Sequence, residues 1–123
     1  VLLVDRTGEV KSSFKVATEV FMGKSLTAQG GQNPIEPAAA GRAIVFGPFM
    51  QNLRAVVGAL LAAKGAMQVG DERELAEKIP VLLGDFEQRE ALGAAALGVV
   101  LANKGATQRT ADWLGQTLRA LAK

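Results

Sequence analysis

The chain contains no cysteine and no histidine in its 123 residues. Disulfides, thiolate nucleophiles, thiolate or imidazole metal ligands and imidazole acid–base chemistry are therefore excluded within it. Any chemistry falls to carboxylates, amides, hydroxyls, lysines and backbone dipoles. The missing cysteine also fits a reducing compartment. Charge of one sign is scarce too: 14 basic residues against 12 acidic leave a net charge of +2, with only a mild basic excess toward Lys123. A nucleic-acid groove needs a clustered basic face, so no nucleic-acid partner is expected. No run approaches the roughly 18 to 20 apolar residues of a membrane helix, and Val1 to Val4 lack the charged leader of a signal peptide. The chain itself is expected to be soluble.

What is present suits one globular domain with a real core, since 49% of the residues are hydrophobic. Four short runs, Val1 to Val4, Val20 to Gly23, Ala43 to Gly47 and Ala66 to Gly70, are rich in Val, Ile, Leu and Phe and end in Gly or Asp. Each reads as a buried strand. Between them Glu9 to Thr18, Asn33 to Ala40 and Asn52 to Lys64 have helical spacing, the last with an apolar stripe of Leu53, Val56, Val57, Leu60 and Leu61. Strict alternation of strand and helix predicts an α/β fold, a Rossmann-like parallel sheet of about four strands with flanking helices.

Beyond the fourth run the chain reads as a helical carboxyl-terminal tail. Asp71 is the expected N-cap, with Glu72 and Glu74 in the first turn where the helix dipole favours acids. Pro80 is expected to kink or split that helix. A further helix spans Phe86 to Asn103, Lys104-Gly105 stops it through a left-handed turn, and Ala106 to Leu121 forms the last. In that helix Trp113, Leu114, Thr117, Leu118 and Leu121 share a face, which marks Trp113 as a packing anchor rather than a ligand-stacking residue.

The segment from Ser25 to Pro37 carries the chemistry. It leaves the carboxyl end of the second strand and enters a helix, the edge where open parallel sheets bind ligands. Gly30 and Gly31 allow positive φ and close approach to backbone N–H groups, and the helix start adds a positive dipole end, which suits a phosphate. A glycine pair serves a plain turn equally well. Asn33 is a favoured N-cap, Pro34 suits the first helical position, and Glu36 stands three residues after the cap. That spacing is a capping box, in which Asn33 and Glu36 satisfy each other's backbone donors, and it is compatible with Glu36 accepting from two ribose hydroxyls.

Three ordered elements resemble those of a known family. Gly30-Gly31-Gln32-Asn33-Pro34-Ile35-Glu36-Pro37-Ala38-Ala39, preceded by Val20-Phe21-Met22-Gly23-Lys24-Ser25-Leu26, is similar to the glycine-rich loop and following helix of the bacterial Kdo (3-deoxy-D-manno-octulosonic acid) transferases. Phe46-Gly47-Pro48-Phe49-Met50-Gln51-Asn52-Leu53 and Asp5-Arg6-Thr7-Gly8-Glu9-Val10 resemble two further family elements, in the same order. Arg6, Phe49 and Leu53 depart from the residues usual at their places. The resemblance implies a GT-B glycosyltransferase whose carboxyl-terminal domain holds CMP-Kdo. Its amino-terminal domain would hold a lipid A precursor at the cytoplasmic face of the inner membrane, for lipopolysaccharide biosynthesis. By position, Ser25, Gly30, Gly31, Asn33 and Glu36 would contact CMP-Kdo, with Gly8 and Glu9 lining the same cleft. The resemblance implies no metal, no cofactor, and no catalytic residue within this chain, because the family's base belongs to the amino-terminal domain.

Residues 1–123 are accordingly expected to be a partial donor-binding domain, with the acceptor domain and the first strands absent. Val1 to Asp5 is then expected to pair in parallel beside Val20 to Gly23, within one chain or by exchange in a homodimer through the exposed sheet edge. Two other readings fit the residues: a GT-B enzyme using a UDP-sugar, and a non-catalytic doubly wound module.

Overall fold

The computed structural model describes residues 2–6, 8–27 and 30–122, with Thr107 through its backbone only. Val1, Thr7, Ala28, Gln29 and Lys123 lie outside the described residues. They belong to the expected first strand, the Asp5 to Val10 element, the glycine loop and the basic end of the chain. Three parallel strands form the sheet: β1 (Glu19–Phe21), β2 (Ala43–Phe46) and β3 (Met67–Gln68), in the order β1-β2-β3. The helices are α1 (Val10–Ser13), α2 (Ile35–Ala39), α3 (Arg54–Ala62), α4 (Glu72–Gly84), α5 (Phe86–Asn103) and α6 (Ala106–Leu121), with a 3₁₀ turn at Gln51–Leu53 leading into α3.

The α/β alternation of the middle of the chain is thus realised, and the outermost expected strand is not. Residues 2–6 take no strand conformation, and Leu2 and Leu3 are 87% and 85% exposed. They do not pair with β1, whose outer edge is open among the described residues. An apolar run becomes a strand only where a neighbouring ladder takes its N–H and C=O groups. The Glu9 to Thr18 helix contracts to α1, four residues with none buried, because so short a helix has neither length nor packing to hold it.

β2 is buried at every position, and its alternating side chains seed a core on each face of the sheet. Ile44 and Phe46 pack with Met22, Ala38, Met50, Val57, Leu60 and Ala96. Ala43 and Val45 pack on the other side with Val69, Leu82 and Leu92. α5 closes the floor. Gly93 lies against the carbonyl of Gly41, just before β2, and Gly65, just before β3, lies against the backbone of Ala96. Both contacts sit at the amino ends of the strands, opposite the loops that carry the glycines.

α5 and α6 keep the bounds read from the sequence, and Gly105 between them takes the left-handed conformation at φ 88°. Asp71 caps α4 by accepting from the Glu74 N–H at 2.8 Å. Pro80 neither ends nor splits α4, which continues to Gly84. It lies on the exposed side of the helix, where water can take the carbonyl that the missing N–H leaves free. Trp113 is not a packing anchor: it is 63% exposed, because no described part of the chain covers that face of α6.

Two predictions follow from this packing. Gly93→Ala places a methyl group against the Gly41 carbonyl, and is expected to cost about 1–3 kcal/mol, read as a lower urea midpoint. Glu19 heads β1 with one carboxylate oxygen shut off from water and unpartnered. Burial pushes its carboxyl pKa above the ordinary 4.5, with attraction to Arg89 opposing in part. A carboxyl whose pKa is raised by folding favours the fold while protonated, and that contribution is lost as pH rises through the folded-state value. Glu19→Gln is therefore expected to stabilise the chain at neutral pH and to match the parent below about pH 3, in paired denaturation curves.

Candidate functional site

The loops that leave the carboxyl ends of β1 and β2 are bolted together around one buried hydroxyl. Ser25 is fully buried; its Oγ donates to the Met22 carbonyl at 2.6 Å and accepts the Gly47 N–H at 2.8 Å. The Phe49 N–H donates to the Ser25 carbonyl at 2.9 Å. The loops approach so closely that a Cβ on Gly47 would strike that same carbonyl and come within 2.7 Å of Leu26 Cδ2. Glycine is required there for space, which joins two sequence elements that lie 22 residues apart. Ser25 thus has its donor and an acceptor position engaged inside the protein.

Gly30 and Gly31 differ in what they do. Gly30 has φ 88°, a conformation that L side chains rarely adopt, with open space where a Cβ would lie. Gly31 is buried, and a Cβ on it would meet Met50 Sδ and lie 3.1 Å from the Phe49 carbonyl. Its N–H donates to that carbonyl at 3.2 Å, and its own carbonyl accepts from Asn52 Nδ2 at 3.2 Å. The Gln32 N–H donates to the Gly23 carbonyl at 3.3 Å. Gly31 is thus closely packed with its N–H engaged within the protein, and Gly30 is a half-buried corner of the loop with open space beside it.

α2 begins one residue later than the sequence implies. Pro37 lacks the N–H that would bond the Asn33 carbonyl, so helical bonding starts with the Ala38 N–H on the Pro34 carbonyl at 3.1 Å, and Pro34 becomes the cap. Asn33 still serves the helix start, its Oδ1 accepting from the Ile35 N–H at 3.0 Å. Among the described residues no hydrogen bond ties Glu36 back to Asn33, so the reciprocal half of the capping box is not formed. Glu36 is exposed in the first turn. Gly30, Gly31, Asn33 and Glu36 thus form one continuous ledge along the carboxyl edge of the sheet.

Gly8 and Glu9 stand apart from that ledge. Gly8 has φ 92° and open space around it, and Glu9 opens α1 with an exposed ion pair to Arg6 at 3.7 Å. Among the described residues no hydrogen bond or ion pair joins either to the segment from Gly30 to Glu36. α1 is held to the body further along, where Arg42 Nε donates to the Phe14 carbonyl at 2.8 Å. Asn52 and Gly47, which sequence reasoning passed over as site residues, are the ones that fix the loop. Their signal was present in the Phe46 to Leu53 element, whose spacing sets them on the loop and turn that face Ser25 and Gly31. Among the described residues no group of three or more Asp or Glu side chains is placed to hold a metal ion.

The hydroxyl at the centre of this arrangement gives a direct prediction. Ser25→Ala leaves the Gly47 N–H buried without a partner and is expected to cost about 1–3 kcal/mol, measured as a lower denaturation midpoint. Looser loops should follow, read as faster amide exchange at Gly47 and Phe49.

Comparison with known proteins bears on what such an edge does. No family model matches the chain. It is 33% identical over 115 residues to the 3-deoxy-D-manno-octulosonic acid transferase of Haemophilus influenzae, covering 93% of this chain and 27% of that protein. The enzyme of the same name from Bordetella pertussis is 35% identical over 119 residues, covering 94% of this chain and 28% of that protein. The fold matches the crystal structure of the C-terminal CMP-Kdo binding domain of WaaA from Acinetobacter baumannii with a TM-score of 0.74 and 26% identity, over 80% of this chain and 51% of that one. The chain thus spans a little over a quarter of the length of these transferases. Sequence and fold together assign it to the 3-deoxy-D-manno-octulosonic acid transferases, as a segment whose structural counterpart lies in their C-terminal domain.

Proposed function

We propose that this chain is the donor-binding part of a Kdo transferase and holds CMP-Kdo at the carboxyl edge of its sheet. The observation that carries the reading is the ledge from Gly30 to Glu36, braced by the bonds of Ser25 to Gly47 and of Asn52 to Gly31. Its fold counterpart is a domain described as binding CMP-Kdo. In this reading the phosphate of the nucleotide lies against Gly30 and the amino end of α2, and Glu36 accepts from the ribose hydroxyls. Asn33 and Gly31 set the path of the backbone past the phosphate, and Ser25 holds the loop from beneath. Gly8 and Glu9 line the far side of the cleft.

The chemistry asked of this segment is electrostatic. Cleavage of the bond from sugar to phosphate builds negative charge on the departing CMP, and donors fixed in advance stabilise that charge most in the transition state. A ledge that is already hydrogen-bonded into the fold needs no reorganisation to do so. The base that activates the acceptor, and the surface that holds a lipid A precursor at the cytoplasmic face of the inner membrane, belong to parts of the enzyme outside this chain. Among the described residues no helix is long and apolar enough to cross a membrane. The open edge of β1 takes a strand from outside the chain, supplied by the rest of the enzyme or by a second copy.

Calorimetric titration tests the reading. CMP is expected to bind and UDP to bind more weakly; tighter binding of UDP would assign the chain to a UDP-sugar enzyme instead, and binding of neither would leave a non-catalytic module. Glu36→Gln removes the charged acceptor and is expected to weaken CMP by about tenfold or more, with an unchanged denaturation midpoint.

A further inference from the structure

Lys24 holds a backbone conformation that its side chain does not favour. Its φ is 64°, in the left-handed region that glycine enters freely and residues with a Cβ rarely adopt. At other left-handed positions among the described residues, Gly8, Gly30, Gly41 and Gly105, the chain places glycine. Lys64 is a second exception, but it follows the C-cap of α3, where a left-handed residue ends a helix. Lys24 ends no helix. It stands in the turn that leaves β1, between two residues fixed by the loops around them. On one side the Gly23 carbonyl accepts the Gln32 N–H at 3.3 Å, and on the other Ser25 is bonded to Gly47 and Phe49. Neighbours thus hold the Lys24 backbone at the junction of both loops. Lys24 itself is exposed, and among the described residues its side chain forms no ion pair.

The edge around Lys24 is short of what an anionic ligand needs. From Gly31 to Pro37, the N–H groups of Gly31, Gln32 and Ile35 are already bonded within the protein, and Pro34 and Pro37 have none. Glu36 adds a negative charge. Lys24 is the one charged residue from Phe21 to Ile35, and the segment from Phe46 to Leu53 has none. Arg42 stands before β2, at the opposite end of the sheet, where its guanidinium donates to the carbonyls of Phe14 and Lys15. We propose, on the reading of this edge as the donor site, that the Lys24 ammonium pairs with the phosphate of the bound nucleotide. A charge required at this point explains a lysine where glycine would suit the turn better, and strained residues of this kind gather at ligand sites. An ammonium on a flexible four-carbon stem meets a phosphate as a point charge, so the braced turn supplies all the aim that it needs.

Calorimetric titration of CMP and of cytidine, which differ only in the phosphate, separates this role from a structural one. Lys24→Met keeps a long unbranched stem and is expected to weaken CMP by about tenfold while leaving cytidine unchanged. Lys24→Arg should keep most of the affinity for CMP. Lys24→Gly should weaken CMP as much as Lys24→Met does, yet raise the denaturation midpoint, because glycine enters the left-handed conformation freely. A parent chain that binds neither ligand would overturn the reading of the edge as a donor site, and the pairing with it. CMP bound by the parent and equally well by Lys24→Met would overturn the pairing alone. So would a loss in Lys24→Arg as large as that in Lys24→Met, an equal loss of cytidine, or a lower midpoint in Lys24→Gly, since each makes Lys24 a structural residue of the turn.

Discussion

The structure depends on hiding one strand completely. β2 is four residues long and buried throughout, paired with β1 from Ala43 to Val45 and with β3 at Val45 and Phe46. A strand of that kind has to be supplied with a ladder partner on each side and an apolar layer above and below. β1 and β3 meet the first need. α2 and α3 on one face and α4 on the other meet the second, with α5 contributing to both cores. The loops that leave the carboxyl ends of β1 and β2 then emerge side by side at the edge where ligands bind in open parallel sheets.

Proximity alone would leave those loops free to move. What fixes them is a small set of polar contacts that share residues: the Ser25 hydroxyl holds the Gly47 amide, the Phe49 backbone touches both Ser25 and Gly31, and Asn52 takes the Gly31 carbonyl. Each of these residues belongs to one of the two elements that resemble the transferase family on either side of β2. The family likeness and the local geometry therefore describe one object. The spacing of the motifs is the spacing needed to bring the hydroxyl, the two glycines and the amide into contact across the sheet edge.

How much of this was legible in the sequence follows from what each signal depends on. The bounds of α5 and α6 were readable because their signals are local: a periodic apolar pattern and a glycine stop. The strand read into Val1 to Val4 was not realised over its described residues, since strand formation depends on a neighbour that no local pattern supplies. Trp113 was misread for the same reason, as its stripe is real but the surface it faces is not set by its own helix. The glycine pair was read as one unit, suited to a phosphate or to a plain turn, whereas only the contact of Gly31 with Met50 and Phe49 separates its packing from the open corner at Gly30. The start of α2 was displaced by Pro37, whose effect on a bond four residues upstream is predictable from its missing N–H once the helix is known to be short.

α5 passes beneath the amino ends of two strands and touches the backbone of both approaches through glycine. The domain is therefore divided into a half that cannot vary and a half that can. At the floor, Gly65 and Gly93 leave no room for a Cβ and Gly41 holds a φ of 69° that L side chains rarely adopt, so sequence drift there is paid in folding. At the opposite edge, exposed residues such as Phe49 and Glu36 stand on segments already braced from below, so exchanging them leaves the packing of the chain undisturbed. Descendants of such a domain are expected to keep a constant base and to diverge at the rim, through substitutions that leave the frame unchanged.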